Sequence, residues 1–95
     1  ILGMDDVETA YYLRLNALDK PGVMADITQI MGDNEISIEA ILQKEPAEGE
    51  STATIIMLTQ RIREAQMNKA IDLIHQLDTV SGEVTRIRVE SLSSE

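Results

Sequence analysis

The sequence predicts a small α+β domain in which two helices cover one face of a four-stranded antiparallel sheet. Three observations predict it. Three stretches alternate apolar and polar residues, as half-buried strands do, and a fourth is rich in the β-branched residues that strands favour. Two further stretches repeat apolar residues every three or four positions, as helices do. Their order is β-α-β-β-α-β, and two helices with one apolar stripe each are enough to cover one face of a single sheet.

The first strand and the first helix account for residues 9–34. Residues 9–18 alternate, with Tyr11, Leu13, Leu15 and Ala17 on one face and a mixed set with polar residues on the other. Residues 22–34 follow the helical period, with the apolar stripe Val23, Ile27, Ile30 and Met31. The run Gly32-Asp33-Asn34 is a helix stop signal, so the helix is expected to end there.

The middle of the chain predicts a hairpin. Residues 36–44 alternate again, and residues 45–50 are polar and acidic with one proline and one glycine, which is typical of a loop. Residues 51–59 are rich in β-branched side chains and read as the third strand.

The last third predicts a second helix and a fourth strand. Residues 64–77 carry the apolar stripe Met67, Ala70, Ile71, Ile74 and Leu77. Ser81-Gly82 then predicts a turn, and residues 83–90 alternate as a strand.

With right-handed crossovers, this order of elements gives the ferredoxin-like βαββαβ sandwich with strand order 4-1-3-2. The two helices lie on one face and leave the other face open. We expect the open face to carry Leu18 and Ile41 among Tyr12, Arg14 and Asn16. An open face and unpaired sheet edges favour self-association, so we expect a dimer.

The ends of the chain show no clear period. Residues 1–8 read as a linker or arm, residues 9–90 as the domain, and residues 91–95 as a polar tail. Because the chain begins with Ile1 rather than Met, we expect it to be a fragment of a longer protein, with the arm leading from an N-terminal region.

Composition excludes several classes of function. A net charge of −9 argues against nucleic acid as a partner, because such binding depends on Lys and Arg meeting phosphates. The absence of cysteine excludes disulfides and thiolate metal sites, and no run is long enough to span a membrane. The single histidine, His75, fits a partly exposed helix position. We therefore expect no catalysis and no metal in this fragment, and a cytoplasmic location.

The best candidate site is the turn between the first strand and the first helix, Asp19-Lys20-Pro21-Gly22-Val23. Gly22 lets another group approach the backbone, and the amides that follow are the unpaired donors of a helix N-terminus, which attract a carboxylate. Asp19 places a negative charge beside that positive end. A free amino acid carries both matching charges, although a plain strand-to-helix turn explains the same residues.

Several segments together resemble an ACT domain, and more narrowly the C-terminal ACT domain of bacterial homoserine dehydrogenases. The segments are YYLRL at 11–15, DKPGV at 19–23, ISIEA at 36–40, QKE at 43–45 and RIRVE at 86–90. The turn followed by Gly-Val is typical of ACT domains in general, whereas TAYYLR at 9–14 points to the narrower family. The resemblance covers residues 7–90.

The resemblance implies a regulatory domain that binds an amino acid between two copies. The turn residues Asp19, Lys20, Pro21, Gly22 and Val23 would come from one copy, and Ser37 and Ile38 from the other. Several relatives carry Asn where this chain has Asp19 and Ser37. Threonine is the implied ligand, and the implied partners are a second copy and the protein's own N-terminal catalytic region. That region would hold NADP or NAD, and this fragment would hold no cofactor.

Two alternatives stay open at the level of sequence. The chain could be a structural dimerisation module without a working ligand site, or the ACT domain of another enzyme of amino-acid metabolism or of a free-standing sensor. A thermal-shift screen of amino acids separates these from the first reading.

Overall fold

The computed structural model describes residues 8–89 of the 95-residue chain. The elements along the chain are β1 (Glu8–Leu18), α1 (Val23–Asp33), β2 (Ile38–Lys44), β3 (Thr52–Thr59), β4 (Ile62–Arg63), α2 (Glu64–His75) and β5 (Val80–Val89). The predicted arm and tail lie outside the described residues, except that Glu8 already belongs to β1.

All strand pairs are antiparallel, and β1 is the central strand. It pairs with β3 on one side, where Leu15 lies opposite Ile55, and with β5 on the other, where Leu13 lies opposite Arg86. β2 pairs with β3 and forms an outer edge of the sheet. The predicted ferredoxin-like fold is confirmed, although the strand count is one higher because the two-residue β4 pairs with the start of β1.

The core lies between the sheet and the two helices. The inward-facing residues of β1 and β3 are buried, and so are three residues of α1 and four of α2. The fully buried side chains include Leu13, Leu15, Ile27, Met57 and Ile74. Both helix stripes predicted from the period therefore face the core, with Ile30 and Leu77 packed against its margin.

A β-bulge in β2 overturns the predicted faces of this strand. Ile38 lies opposite Thr59, but Ala40 lies opposite Leu58, so Glu39 is an extra residue with no partner of its own. Directly opposed residues share a face, so Ala40 and Leu42 lie on the open face. Ile41 lies on the helix side instead, which corrects its predicted place on the open face.

A second irregularity replaces the predicted turn at Ser81-Gly82. β5 already begins at Val80, and its register against β1 shifts between the partners of Arg14 and Asn16. Gly82 takes φ +70° in this stretch, a left-handed conformation that a residue without Cβ adopts at little cost. The glycine thus marks a bulge inside a strand, not a turn before it.

The open face of the sheet is defined by the residues that oppose one another across the four long strands on the side away from the helices. These residues are Ala10, Tyr12, Arg14, Asn16 and Leu18 of β1, Ala40, Leu42 and Lys44 of β2, Thr52, Thr54, Ile56 and Leu58 of β3, and Ser81, Thr85, Ile87 and Val89 of β5.

Candidate functional site

The turn at residues 19–23 is held in place from both sides by backbone hydrogen bonds. The amide of Leu18 donates to the Thr79 carbonyl at 2.8 Å, and the amide of Asp19 donates to the Ser51 carbonyl at 2.9 Å. Gly22 then adopts φ +91° and Val23 begins α1. The local conformation therefore depends on a glycine, while Asp19, Lys20 and Pro21 are exposed.

The start of α1 has the properties of an anion-binding end. Its first helical hydrogen bond runs from the Asp26 amide to the Gly22 carbonyl at 3.0 Å, and no side chain caps this end. The Val23 amide donates to the Lys20 carbonyl over a long 3.4 Å. A carboxylate placed here would meet helix amides that no side chain of this turn occupies.

The structure adds a residue that was not predicted for the site. The side-chain amide of Gln43 donates to the Asp19 carboxylate, with 3.2 Å between Nε2 and Oδ1. Gln43 lies near the end of β2, and both side chains are exposed. The Asp19 carboxylate is therefore oriented from a neighbouring strand. The bulge at Glu39 concealed this contact, because it changes the face on which Gln43 lies.

Ser37 and Ile38 lie at the other end of the sheet. Ile38 lies opposite Thr59, whereas Leu18, which leads into the turn, lies opposite Thr52. Seven residue steps along β3, at a rise of about 3.3 Å each, separate the two positions by roughly 23 Å. One chain therefore does not bring the two predicted halves of the site together.

The described cavities lie away from the turn. A cavity of about 500 Å³ lies between the end of α1 and the start of α2, with residues Asn34 and Gln66 among its lining. Another, of about 450 Å³, runs between α2 and β5 beside His75. A third, of about 260 Å³, lies on the sheet and is lined by Tyr12, Ala40, Ile41, Leu42, Ile56 and Leu58. In residues 8–89 the turn is an open surface feature that none of these three cavities includes.

His75 has a structural contact that its exposure does not suggest. Its side chain is 32% exposed, in line with the predicted helix position, yet its Nε2 accepts a hydrogen bond from the Val84 amide at 3.1 Å. The same nitrogen lies 3.8 Å from a carboxylate oxygen of Glu83. His75 thus joins α2 to the irregular stretch of β5.

Among residues 8–89, no three His, Asp or Glu side chains are grouped so that they could hold a metal ion. None of the helices described is long and apolar enough to cross a membrane.

Comparison with known proteins adds a family. The family model for the ACT domain matches residues 11–79. A homoserine dehydrogenase from Methylobacillus glycogenes is 55% identical over 93 residues, which is 98% of this chain and 23% of that protein. The homoserine dehydrogenase of Pseudomonas aeruginosa is 44% identical over 93 residues, 98% of this chain and 21% of its own length.

Solved structures agree with these relatives. The crystal structure of a homoserine dehydrogenase from Thiobacillus denitrificans matches with a TM-score of 0.83 and 51% identity, covering 95% of this chain and 19% of that one. The ACT domain from a GTP pyrophosphokinase of Chlorobium tepidum matches with a TM-score of 0.66 at 18% identity, covering 84% of this chain and 99% of that one, and shows the fold alone. This chain therefore spans about a fifth of the length of the homoserine dehydrogenases it matches.

Proposed function

Because this chain belongs to the ACT domain family, we propose that it is the regulatory amino-acid-binding domain of a homoserine dehydrogenase. The observation that carries the proposal is 55% identity to such an enzyme over 98% of the chain. The rest of the parent enzyme would interconvert aspartate semialdehyde and homoserine with NADP or NAD in the cytoplasm. Threonine, an end product of that pathway, would act through this domain as a feedback inhibitor.

A dimer joined through β2 would complete the site. β2 is an outer edge of the sheet, so its outward backbone groups are open to pairing with a second chain. Antiparallel pairing of two β2 strands about a twofold axis sets the start of one strand beside the end of the other. Ser37 and Ile38 of one copy then approach Gln43 and Asp19 of the second, which removes the roughly 23 Å separation within one chain.

The chemistry of this composite site suits a free amino acid. The ligand carboxylate would bind the uncapped amides at the start of α1, and its ammonium group would face the Asp19 carboxylate. Ser37 of the second copy would hydrogen-bond to the ligand through its hydroxyl group. Since the ligand touches both copies, its binding free energy would also stabilise the dimer.

Two observations favour a second function, a structural dimerisation module without a ligand. Asp19 already accepts a hydrogen bond from Gln43, and none of the three cavities described above is lined by the turn. In that case β2 would pair in the same way but the site would stay empty.

Subunit complementation tests the proposal, using calorimetry with threonine on Asp19→Ala and on Ser37→Trp. Each variant alone should bind threonine at least about tenfold more weakly in both sites of its dimer. An equal mixture, after subunit exchange, should recover about a quarter of the sites, because half of the dimers are mixed and each mixed dimer holds one intact site.

Four outcomes contradict parts of this scheme. Binding by neither the mixture nor the unmutated domain favours the structural module. Binding by the unmutated domain without recovery in the mixture places the whole site in one chain. Sedimentation that shows only monomers at high concentration, with and without threonine, refutes the dimer, and a stronger response to another amino acid in a thermal-shift screen refutes threonine.

A further inference from the structure

The open face of the sheet is apolar and exposed. Leu42 is 58% exposed, Ile87 is 54% exposed and Val89 is 39% exposed. Leu42 lies on β2 and the other two lie on β5, and all three belong to the open face. The apolar cavity of about 260 Å³ lies on the same surface. Exposed apolar surface of this kind is typical of an interface with another protein surface.

The charges of this face differ from those of the chain as a whole. The chain has a net charge of −9, yet the open face as defined contains no carboxylate and only two cations, Arg14 and Lys44. Asn16 accepts a hydrogen bond from Thr54 across the middle of the face, at 2.9 Å. A surface that lacks the prevailing charge and is depleted in charged groups resembles the centre of an interface.

A second copy of the domain is a poor occupant of this face. In a twofold contact the same surface serves both partners. With the axis over the centre of this face, Arg14 on the central strand would approach the equivalent arginine. Face-to-face packing would therefore bring like charges together without a carboxylate from either face. The better occupant is a different surface, apolar with a carboxylate opposite Arg14.

We infer that the open face docks on the catalytic region of the same enzyme, in the same or the neighbouring subunit. The inference rests on the proposed function. The comparison with relatives indicates what covers this face. This chain covers only 23%, 21% and 19% of three homoserine dehydrogenases, so the remainder of such an enzyme is several times larger than the domain and offers a large surface for docking. Docking leaves the β2 edge free for the second copy.

The arrangement gives β2 a part in two interfaces at once. Ser37 precedes it, Gln43 near its end contacts Asp19, and Ala40 and Leu42 between them lie on the open face. A ligand that shifts β2 at the dimer edge therefore shifts the side chains packed on the catalytic region. This shared strand is a physical route by which the site communicates with the rest of the enzyme.

Photo-crosslinking in the full-length enzyme tests the inference. The photoreactive residue p-benzoylphenylalanine replaces Leu42 in one variant and Ile87 in another, so that a folding defect in one leaves the second informative. A matched variant carries it at Gln29, an exposed position on α1 in the opposite layer. Homoserine dehydrogenase activity and threonine binding are measured on the same preparations.

The expected result is a crosslink from positions 42 and 87 to peptides outside these 95 residues, with a yield at least about tenfold above position 29, since a docked side chain stays in contact with its partner. Crosslinks to the same domain of another copy, no crosslinks, or equal yields at all three positions overturn the inference. If activity and threonine binding are normal in that case, the proposed function stands and only the docking surface fails.

Discussion

Two neighbouring residues of α2, Ile74 and His75, should differ strongly in their effect on stability. Ile74 is fully buried in the core, so Ile74→Ala removes buried carbon atoms and leaves a cavity, which costs about 2–5 kcal/mol. His75→Ala removes only the acceptor of the Val84 amide, a partly buried hydrogen bond of 3.1 Å, which costs about 1 kcal/mol. For a domain of this size, about 1 kcal/mol lowers Tm by roughly 4–8 °C.

Urea unfolding monitored by circular dichroism measures both changes, at one fixed protein concentration because dimerisation would add to the apparent stability. Ile74→Val serves as the graded control and should cost about 0.5–1.5 kcal/mol. A result in which His75→Ala destabilises the domain more than Ile74→Ala would show that the contact of α2 with β5, and not the core stripe, dominates the stability of this helix.

Three further predictions concern the turn and the core tyrosine. In calorimetry, Asp19→Ala should weaken threonine binding about ten- to a hundredfold, and Asp19→Asn should weaken it less. The circular dichroism spectrum should be unchanged in both variants. Equal affinity in the two variants and the unmutated domain would place the ligand elsewhere. Gly22→Val should abolish binding. Because φ is +91° and nothing lies within 4 Å of an added Cβ, Gly22→Ala shares the backbone strain without the bulk and should bind better; an equal loss in both variants would show that bulk is irrelevant. Burial, with a contribution from Glu64, raises the pKa of Tyr11 above its ordinary value, so the folded state holds this proton more tightly than the unfolded state. Stability should fall as pH rises above about 10, and Tyr11→Phe should remove that part of the fall in urea titrations; an unchanged pH profile would contradict it.

The sequence predicts the elements and the core because local period determines both. Strict alternation along β1 and the helical stripe of α2 identify the inward faces without any knowledge of pairing. The turn at Gly22 is also predictable, because a positive φ at the start of a helix strongly favours glycine.

The features that the sequence does not predict depend on pairing between distant strands. The extra residue Glu39 shows only in the register of β2 against β3, and it alone decides whether Leu42 lies in the core layer or on the open face. β4 has two residues and therefore no period to detect. The contact of Gln43 with Asp19 depends on the same bulge, which is why the site was predicted without it.

The central position of β1 also sets the order in which the domain can be completed. A ribosome delivers β1 first and β5 last, yet Ala10 of β1 pairs with Val89 at the far end of β5. During synthesis β1 can pair with β3 once the hairpin has emerged, while its other edge stays open until the last strand arrives. Until β5 emerges, the nascent domain thus exposes one open edge of an apolar strand, a state in which chains exchange strands or aggregate. Pairing between such distant segments also makes folding slow, so the arrival of β5, and not formation of the helices, is the step at which the fold closes.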